Sequence, residues 1–177
     1  MIRHPPPDIA SGICYGQSDV PVRQSDCHAI AKQLQPCMPV DAPLFSSPLQ
    51  RCLQLAQLLH TTPRCDSRLM EMDFGSWEMQ SWRQIARHEV DSWAADVVHY
   101  SPGGSENVLA MATRIIAFAE EMICLPCSDI VIVCHAGCIR LLMQWQPGMS
   151  AATLAARTCE QQRHFEFGSC TLHTLLI

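Results

Sequence analysis

The sequence predicts a layered α/β domain built on a largely parallel sheet. Two features carry this. Ile130–Cys134 (IVIVC) is an unbroken apolar run, the mark of a central strand buried on both faces rather than one. Elsewhere, short apolar runs alternate with segments whose apolar residues recur at helical spacing, the order that produces strand–helix–strand units.

Taken along the chain, the first strand ends at His4. Only Met1 and Ile2 precede Arg3, so this strand is expected as a stub beside the usual length of about five residues. Pro5–Pro7 then lead the chain out of the sheet, because proline has no N–H for a ladder. A helix is predicted from Ser25, as N-cap, through Leu34. Pro43–Ser46 reads as a short strand. Ser47-Pro48 supplies an N-cap with proline in the first turn. The helix continues to Leu59, with Leu49, Cys52, Leu53, Ala56 and Leu59 at helical spacing.

The stretch 77–95 has helical periodicity through Trp82, Ile85, Ala86 and Trp93. Pro102-Gly103-Gly104 signals a loop. From Ser105 a helix should run to about Met122, with Val108, Met111, Ala112, Ile115 and Ala119 on one stripe. After the IVIVC strand, His135-Ala136-Gly137 opens a helix through Leu142. His164–Phe167 and Thr171–Leu176 read as strands around a Gly168-Ser169 turn. Nothing resembles a linker or repeat, and 177 residues suit a single domain over 1–177.

Composition narrows the function. Hydrophobic content of 48% and charged content of 16% are globular values. A formal net charge of −5 disfavours a nucleic-acid partner. A small anionic ligand depends instead on local clusters of Arg and His. No apolar run approaches the roughly 18 residues that span a bilayer, and no apolar leader opens the chain, so no membrane association is expected. The 11 cysteines are odd in number and irregularly spaced, which fits buried thiols in the cytoplasm better than a disulfide framework. Cys124-Leu125-Pro126-Cys127 lacks a second CxxC, so zinc or redox chemistry is the lesser reading.

In open α/β sheets, ligands collect at the carboxyl ends of the strands. His4 and His135 each end a strand there, and Arg3 adjoins His4. Arg51 lies in the first turn of a helix, where free N–H groups and the dipole already favour an anion. Two histidines and two guanidinium forks are thus placed to converge on phosphate oxygens.

Arg3-His4, the helix segment SSPLQRCLQLAQLL, the segment Glu71–Glu78 (EMDFGSWE) and Cys134-His135-Ala136-Gly137 together resemble the motifs of the histidine phosphatase, or phosphoglycerate mutase-like, superfamily. ICYGQSDVPV (13–22) and EMDFGSWE are similar to its α-ribazole phosphatase branch, which removes phosphate from α-ribazole 5′-phosphate late in cobalamin assembly. The resemblance implies a three-layer α/β/α sandwich. It implies a metal-independent phosphomonoesterase with no cofactor. His4 would be the nucleophile, forming a phosphohistidine; Glu71 the general acid and base; His135 a stabiliser of the phosphoryl group; Arg3 and Arg51 the phosphate-binding pair.

Asp73 and Glu78 are rival carboxylates near Glu71, and Glu106 reads as a helix N-terminal charge. Tyr15, Gly16 and the loop to Pro21 are expected to border the leaving group. Trp77 and Trp82 are candidates to stack on a flat base, core burial being the commoner role of either. Pro5 departs from the family's glycine and removes an N–H and freedom of φ.

The expected partner is a small phosphorylated metabolite, with an exposed edge at the C-terminal hairpin permitting a homodimer. Two other readings stand beside it. One is the same chemistry on another phosphate ester or on a phosphohistidine protein. The other is a non-catalytic phospho-ligand-binding protein.

Overall fold

The computed structural model describes residues 1–161 and 164–174. Its sheet has strands β1 (Ile2–Arg3), β2 (Leu44–Ser46), β3 (Arg64–Cys65) and β4 (Val131–Cys134), in the order β1-β4-β2-β3. All pairings between them are parallel: Ile2 and Ser46 both lie opposite Val133, and Phe45 lies opposite Arg64.

β4 is central and every residue in it is buried. Side chains alternate across it. Val131 and Val133, with Ile2 and Leu44, pack against α1 (Gln24–Leu34) and α2 (Gln50–Leu59). Ile132 and Cys134, with Phe45, pack against α4 (Val108–Met122), α5 (Ala136–Gln144) and α6 (Ala151–Glu160). The period of two along β4 therefore creates the three layers. Among the described residues, no helix is long and apolar enough to cross a membrane.

α4 shows why a helix forms where it does. Met111, Ala112, Ile115, Phe118, Ala119 and Met122 make one buried stripe, and the Asn107 side chain accepts a hydrogen bond from Ala110 N at 2.9 Å. It starts at Val108 rather than Ser105. Residues 105 and 106 are held in a turn instead: Ser105 Oγ donates to Asp73 Oδ2 at 2.6 Å and Glu106 N to Asp73 O at 3.1 Å.

Other elements differ from expectation for similar local reasons. Ser47 does not cap α2; its N-cap is Leu49, and the Ser47 hydroxyl faces His135 instead. Within 77–95 only α3 (Arg87–Ala95) is α-helical. The preceding backbone pairs with residues 12–14: Met79 N donates to Cys14 O at 2.7 Å, Cys14 N to Gln80 O at 2.9 Å and Trp82 N to Gly12 O at 2.9 Å. Those bonds use the groups a helix would need. α6 was not among the expected elements. Its fully buried apolar residues are only Leu154 and Ala155, too few for a clear periodic signal.

The Gly168-Ser169 turn forms, with Gly168 at φ +70° and Ser169 N donating to Glu166 O at 3.2 Å. His164–Phe167 is not a strand. Its chain instead runs beside β1: Gly168 N donates to Arg3 O at 3.1 Å, Arg3 N to Ser169 O at 3.1 Å and Thr171 N to Met1 O at 2.7 Å. These bonds supply the short first strand with partners on its outer side. The expected strand Thr171–Leu176 shows no strand through Thr174, and its last residues lie outside those described.

Candidate active site

β1 and β4 deliver their histidines side by side. His4 N donates to Cys134 O at 3.1 Å, and the His4 and His135 ring centroids are 5.0 Å apart. Both residues are buried. His4 Nδ1 lies 2.6 Å from Pro5 O. A carbonyl only accepts, so Nδ1 carries the proton and Nε2 keeps a lone pair. Proline in place of glycine at position 5 keeps this carbonyl. His135 Nε2 lies 2.9 Å from Ser47 Oγ and 3.4 Å from Cys52 Sγ.

The two arginines are held by main-chain oxygens. Arg51 Nη1 donates to Ser18 O at 2.8 Å and Nη2 to Gly16 O at 2.5 Å. Arg3 Nη1 donates to Phe165 O, and its guanidinium carbon sits 3.8 Å over the Phe167 ring. The Nε of each is buried with no partner among the described residues. A buried N–H without an acceptor is costly, and an oxyanion would complete both. Tyr15 lies near both cations: its ring centroid is 5.1 Å from the Arg51 guanidinium carbon, and it interacts electrostatically with Arg3.

Burial and the Arg51 charge push His4 down to about 3, against a smaller opposing effect of the Pro5 carbonyl. Burial and the charges of His4 and Arg51 hold His135 well below the ordinary range as well. Both rings are neutral near pH 7. The unfolded chain has ordinary histidines near 6.5, so below that pH it binds protons that the folded chain refuses. Stability is therefore fully present above about pH 6.5 and falls as pH drops towards 3. His4 alone contributes a slope of about 1.4 kcal/mol per pH unit, or about 2 kcal/mol at pH 5. Urea midpoints measured from pH 7 to 5 should fall accordingly, and less steeply in His4→Gln. A level midpoint in the parent protein would contradict these burials.

A cavity of about 730 Å³ opens beside this cluster. Glu71, Tyr15, Gly16, Gly137 and Arg140 line one part of it, and Phe74, Trp82 and Trp93 another. Glu71 Oε2 accepts from Gly137 N at 3.3 Å and Oε1 from Met72 N at 3.0 Å. A Cβ at position 137 would lie 2.3 Å from Glu71 Oε1, so only glycine permits this approach.

The rival carboxylates are engaged elsewhere. Asp73 accepts from Gly75 N at 2.8 Å and from Ser105. Glu78 accepts from the 17–18 loop. Glu106 is not a free helix-terminal charge: both its oxygens accept from Arg114, at 2.7 and 2.8 Å. Arg114 Nη1 in turn donates to Met70 O at 2.7 Å and Nη2 to Glu71 O at 3.1 Å. This half-buried pair therefore braces the segment that carries Glu71.

Trp77 does not line this cavity. It is buried, and its indole N–H donates to Glu89 Oε2 at 2.8 Å. Trp82 reaches the cavity, stacked on Trp93 with centroids 6.0 Å apart and planes at 9°. Sequence reasoning missed Trp93 in this role, as well as Ser47 and Arg140. A tryptophan on a helical stripe looks like core, and only the aromatic stack distinguishes it.

The model of the histidine phosphatase superfamily (branch 1) matches residues 1–165. The chain belongs to the histidine phosphatase superfamily. Among the curated members of this superfamily, the adenosylcobalamin/alpha-ribazole phosphatase of Salmonella typhimurium is 31% identical over 90 residues. That match covers 49% of this chain and 45% of the relative, less than half its length.

Solved histidine phosphatase structures align more fully. The alpha-ribazole phosphatase from Shigella flexneri has a TM-score of 0.71 at 25% identity, covering 86% of this chain and 81% of that one. A mycobacterial glucosyl-3-phosphoglycerate phosphatase has a TM-score of 0.69 at 25% identity, covering 88% and 82%.

Proposed function

We propose that this histidine phosphatase is a metal-independent phosphomonoesterase that works through a phosphohistidine on His4, with α-ribazole 5′-phosphate of cobalamin biosynthesis as its substrate. The observation that carries the chemistry is the His4 tautomer. Nδ1–H is tied to Pro5 O, and Nε2 is left with its lone pair in the field of two arginines whose Nε atoms have no partner among the described residues.

His4 Nε2 attacks phosphorus as the ester P–O bond breaks. The departing alkoxide takes the proton of the Glu71 carboxyl. Water then attacks phosphorus, Glu71 takes its proton, the P–N bond breaks, and neutral His4 returns. Arg3, Arg51 and His135 supply the positive charge and hydrogen bonds that the phosphoryl oxygens need.

The substrate is supported by the names of the two α-ribazole phosphatases above and by the wall of Phe74, Trp82 and Trp93. Such a wall suits a flat bicyclic base. A sugar-phosphate substrate is the second reading. It is favoured by the polar side chains of Arg140, Thr158, Gln161 and His164, which also line the cavity, and by the glucosyl-3-phosphoglycerate phosphatase neighbour.

Phosphate release in the presence of chelator, from α-ribazole 5′-phosphate, glucosyl-3-phosphoglycerate and an aryl phosphate, tests this. Preference for the first by kcat/KM supports the proposal. Preference for the second replaces the substrate and keeps the mechanism. Glu71→Gln should slow alkyl phosphates by about 10²–10⁴-fold, the scale of general acid catalysis, and aryl phosphates far less, because a phenolate leaves without protonation. Equal losses on both would remove Glu71 from the acid role.

A further inference from the structure

We propose that Glu78 is a positioning residue that sets the Arg51 guanidinium through the peptide unit joining Gly16 and Gln17. The inference rests on Arg51 gripping the phosphoryl group. The Glu78 carboxylate accepts four hydrogen bonds: from Gln17 N at 2.7 Å and Phe74 N at 3.1 Å on Oε1, and from Ser18 N and Ser18 Oγ, both at 2.5 Å, on Oε2.

The same loop turns its carbonyls the other way, Gly16 O and Ser18 O accepting from Arg51. One peptide unit therefore has its N–H on a carboxylate and its C=O on a guanidinium. Charge on Glu78 orients that dipole and strengthens the oxygen that holds Arg51. The loop is also tied to the helix that bears Arg51, since Asp19 Oδ1 accepts from Gln50 N at 2.8 Å.

Two backbone features show that the contact is built in. Gly16 has φ +34°, and a Cβ there would lie 2.1 Å from Glu78 Oε1. Only glycine allows the carboxylate this close. Met79, next to Glu78, has φ +61°, a region a residue with a side chain seldom adopts. Strain on one side and a missing side chain on the other bring Glu78 against the loop. Both Glu78 oxygens are taken up by donors of Gln17, Ser18 and Phe74, so it acts through the loop that holds Arg51.

Glu78→Gln is the direct test. Whichever way the amide sits, its NH₂ meets two of these donors. Turnover of an aryl phosphate and binding of inorganic vanadate are measured in the parent and in an Arg51→Ala background. In the parent, Glu78→Gln should lower kcat/KM about 10–100-fold and weaken vanadate in parallel, the usual scale for groups that orient a ligand's contacts.

In Arg51→Ala the same change should cost less than about 3-fold, because coupled residues are not additive. Ser18→Ala, which removes one donor, should follow the same pattern at smaller scale if Glu78→Gln does not fold. An equal factor in both backgrounds overturns the proposal, as does a lower melting temperature with unchanged turnover. A parent protein that neither turns over the ester nor binds vanadate overturns this inference together with the phosphatase reading; loss of coupling alone overturns only this one.

Discussion

His4→Ala is expected to abolish phosphate release while the chain stays folded. Removing the nucleophile of a covalent mechanism costs on the order of 10⁴–10⁶-fold, because the remaining groups then only bind. The fold should survive because β1 is held through its backbone. His4 N still reaches Cys134 O, and Gly168 N still reaches the carbonyls of Arg3 and His4. Loss of a buried ring leaves a cavity that costs roughly 2–4 kcal/mol. Part of this returns below pH 6.5, where the wild-type ring is itself a liability. Circular dichroism beside phosphate release checks both halves. A folded variant within tenfold of wild type would end the phosphohistidine mechanism, and the parent protein should trap an acid-labile phosphoenzyme that the variant lacks.

The second large effect concerns Arg51. Arg51→Ala should lower kcat/KM about 10²–10³-fold, the scale for deleting one preorganised donor to a developing oxyanion. Arg51→Lys should recover little of it. Lysine restores the charge but not the fork, and both Nη atoms of Arg51 are already committed to Gly16 O and Ser18 O. Only a guanidinium can hold those oxygens and still present Nε. Arg51→Ala also takes from Gly16 O its donor and leaves Ser18 O only Val20 N, so its melting temperature should fall. A lysine variant with wild-type kcat/KM would show that charge alone suffices there.

The parts of the site that were legible in advance share one property: topology places them. His4 and His135 end parallel strands, and Arg51 falls in the first turn of a helix. A strand end or helix start can be recognised from neighbouring residues. What stayed hidden depends on side-chain direction across long separations. Ser47 has the sequence of an N-cap, yet its hydroxyl serves His135, which lies 88 positions away.

Trp77, Trp82 and Trp93 are equivalent on a periodicity plot. Only the pairing of residues 79–82 with 12–14 turns Trp77 inward and leaves Trp82 and Trp93 at the cavity. Asp73 and Glu78 stand in the sequence as rivals to Glu71 because a carboxylate's role depends on which donors surround it. The expected helix over 77–95 holds only from Arg87 for a related reason: before it, local periodicity is outweighed by a non-local bridge that captures the same backbone groups.

The chain beside β1 has a consequence for biosynthesis. Arg3 is braced by Phe165 O, a contact across 162 positions, and by the ring of Phe167. A ribosome makes Arg3 and His4 well before Phe165, the brace of Arg3, which follows 162 positions later. A partly translated chain can assemble α1, β2 and α2, since their contacts are close in sequence. It still lacks the carbonyl and aromatic face that fix Arg3. The Arg3 guanidinium is thus fixed only once Phe165 and Phe167 have been made, and a growing chain that stops short of them has no finished cationic cluster.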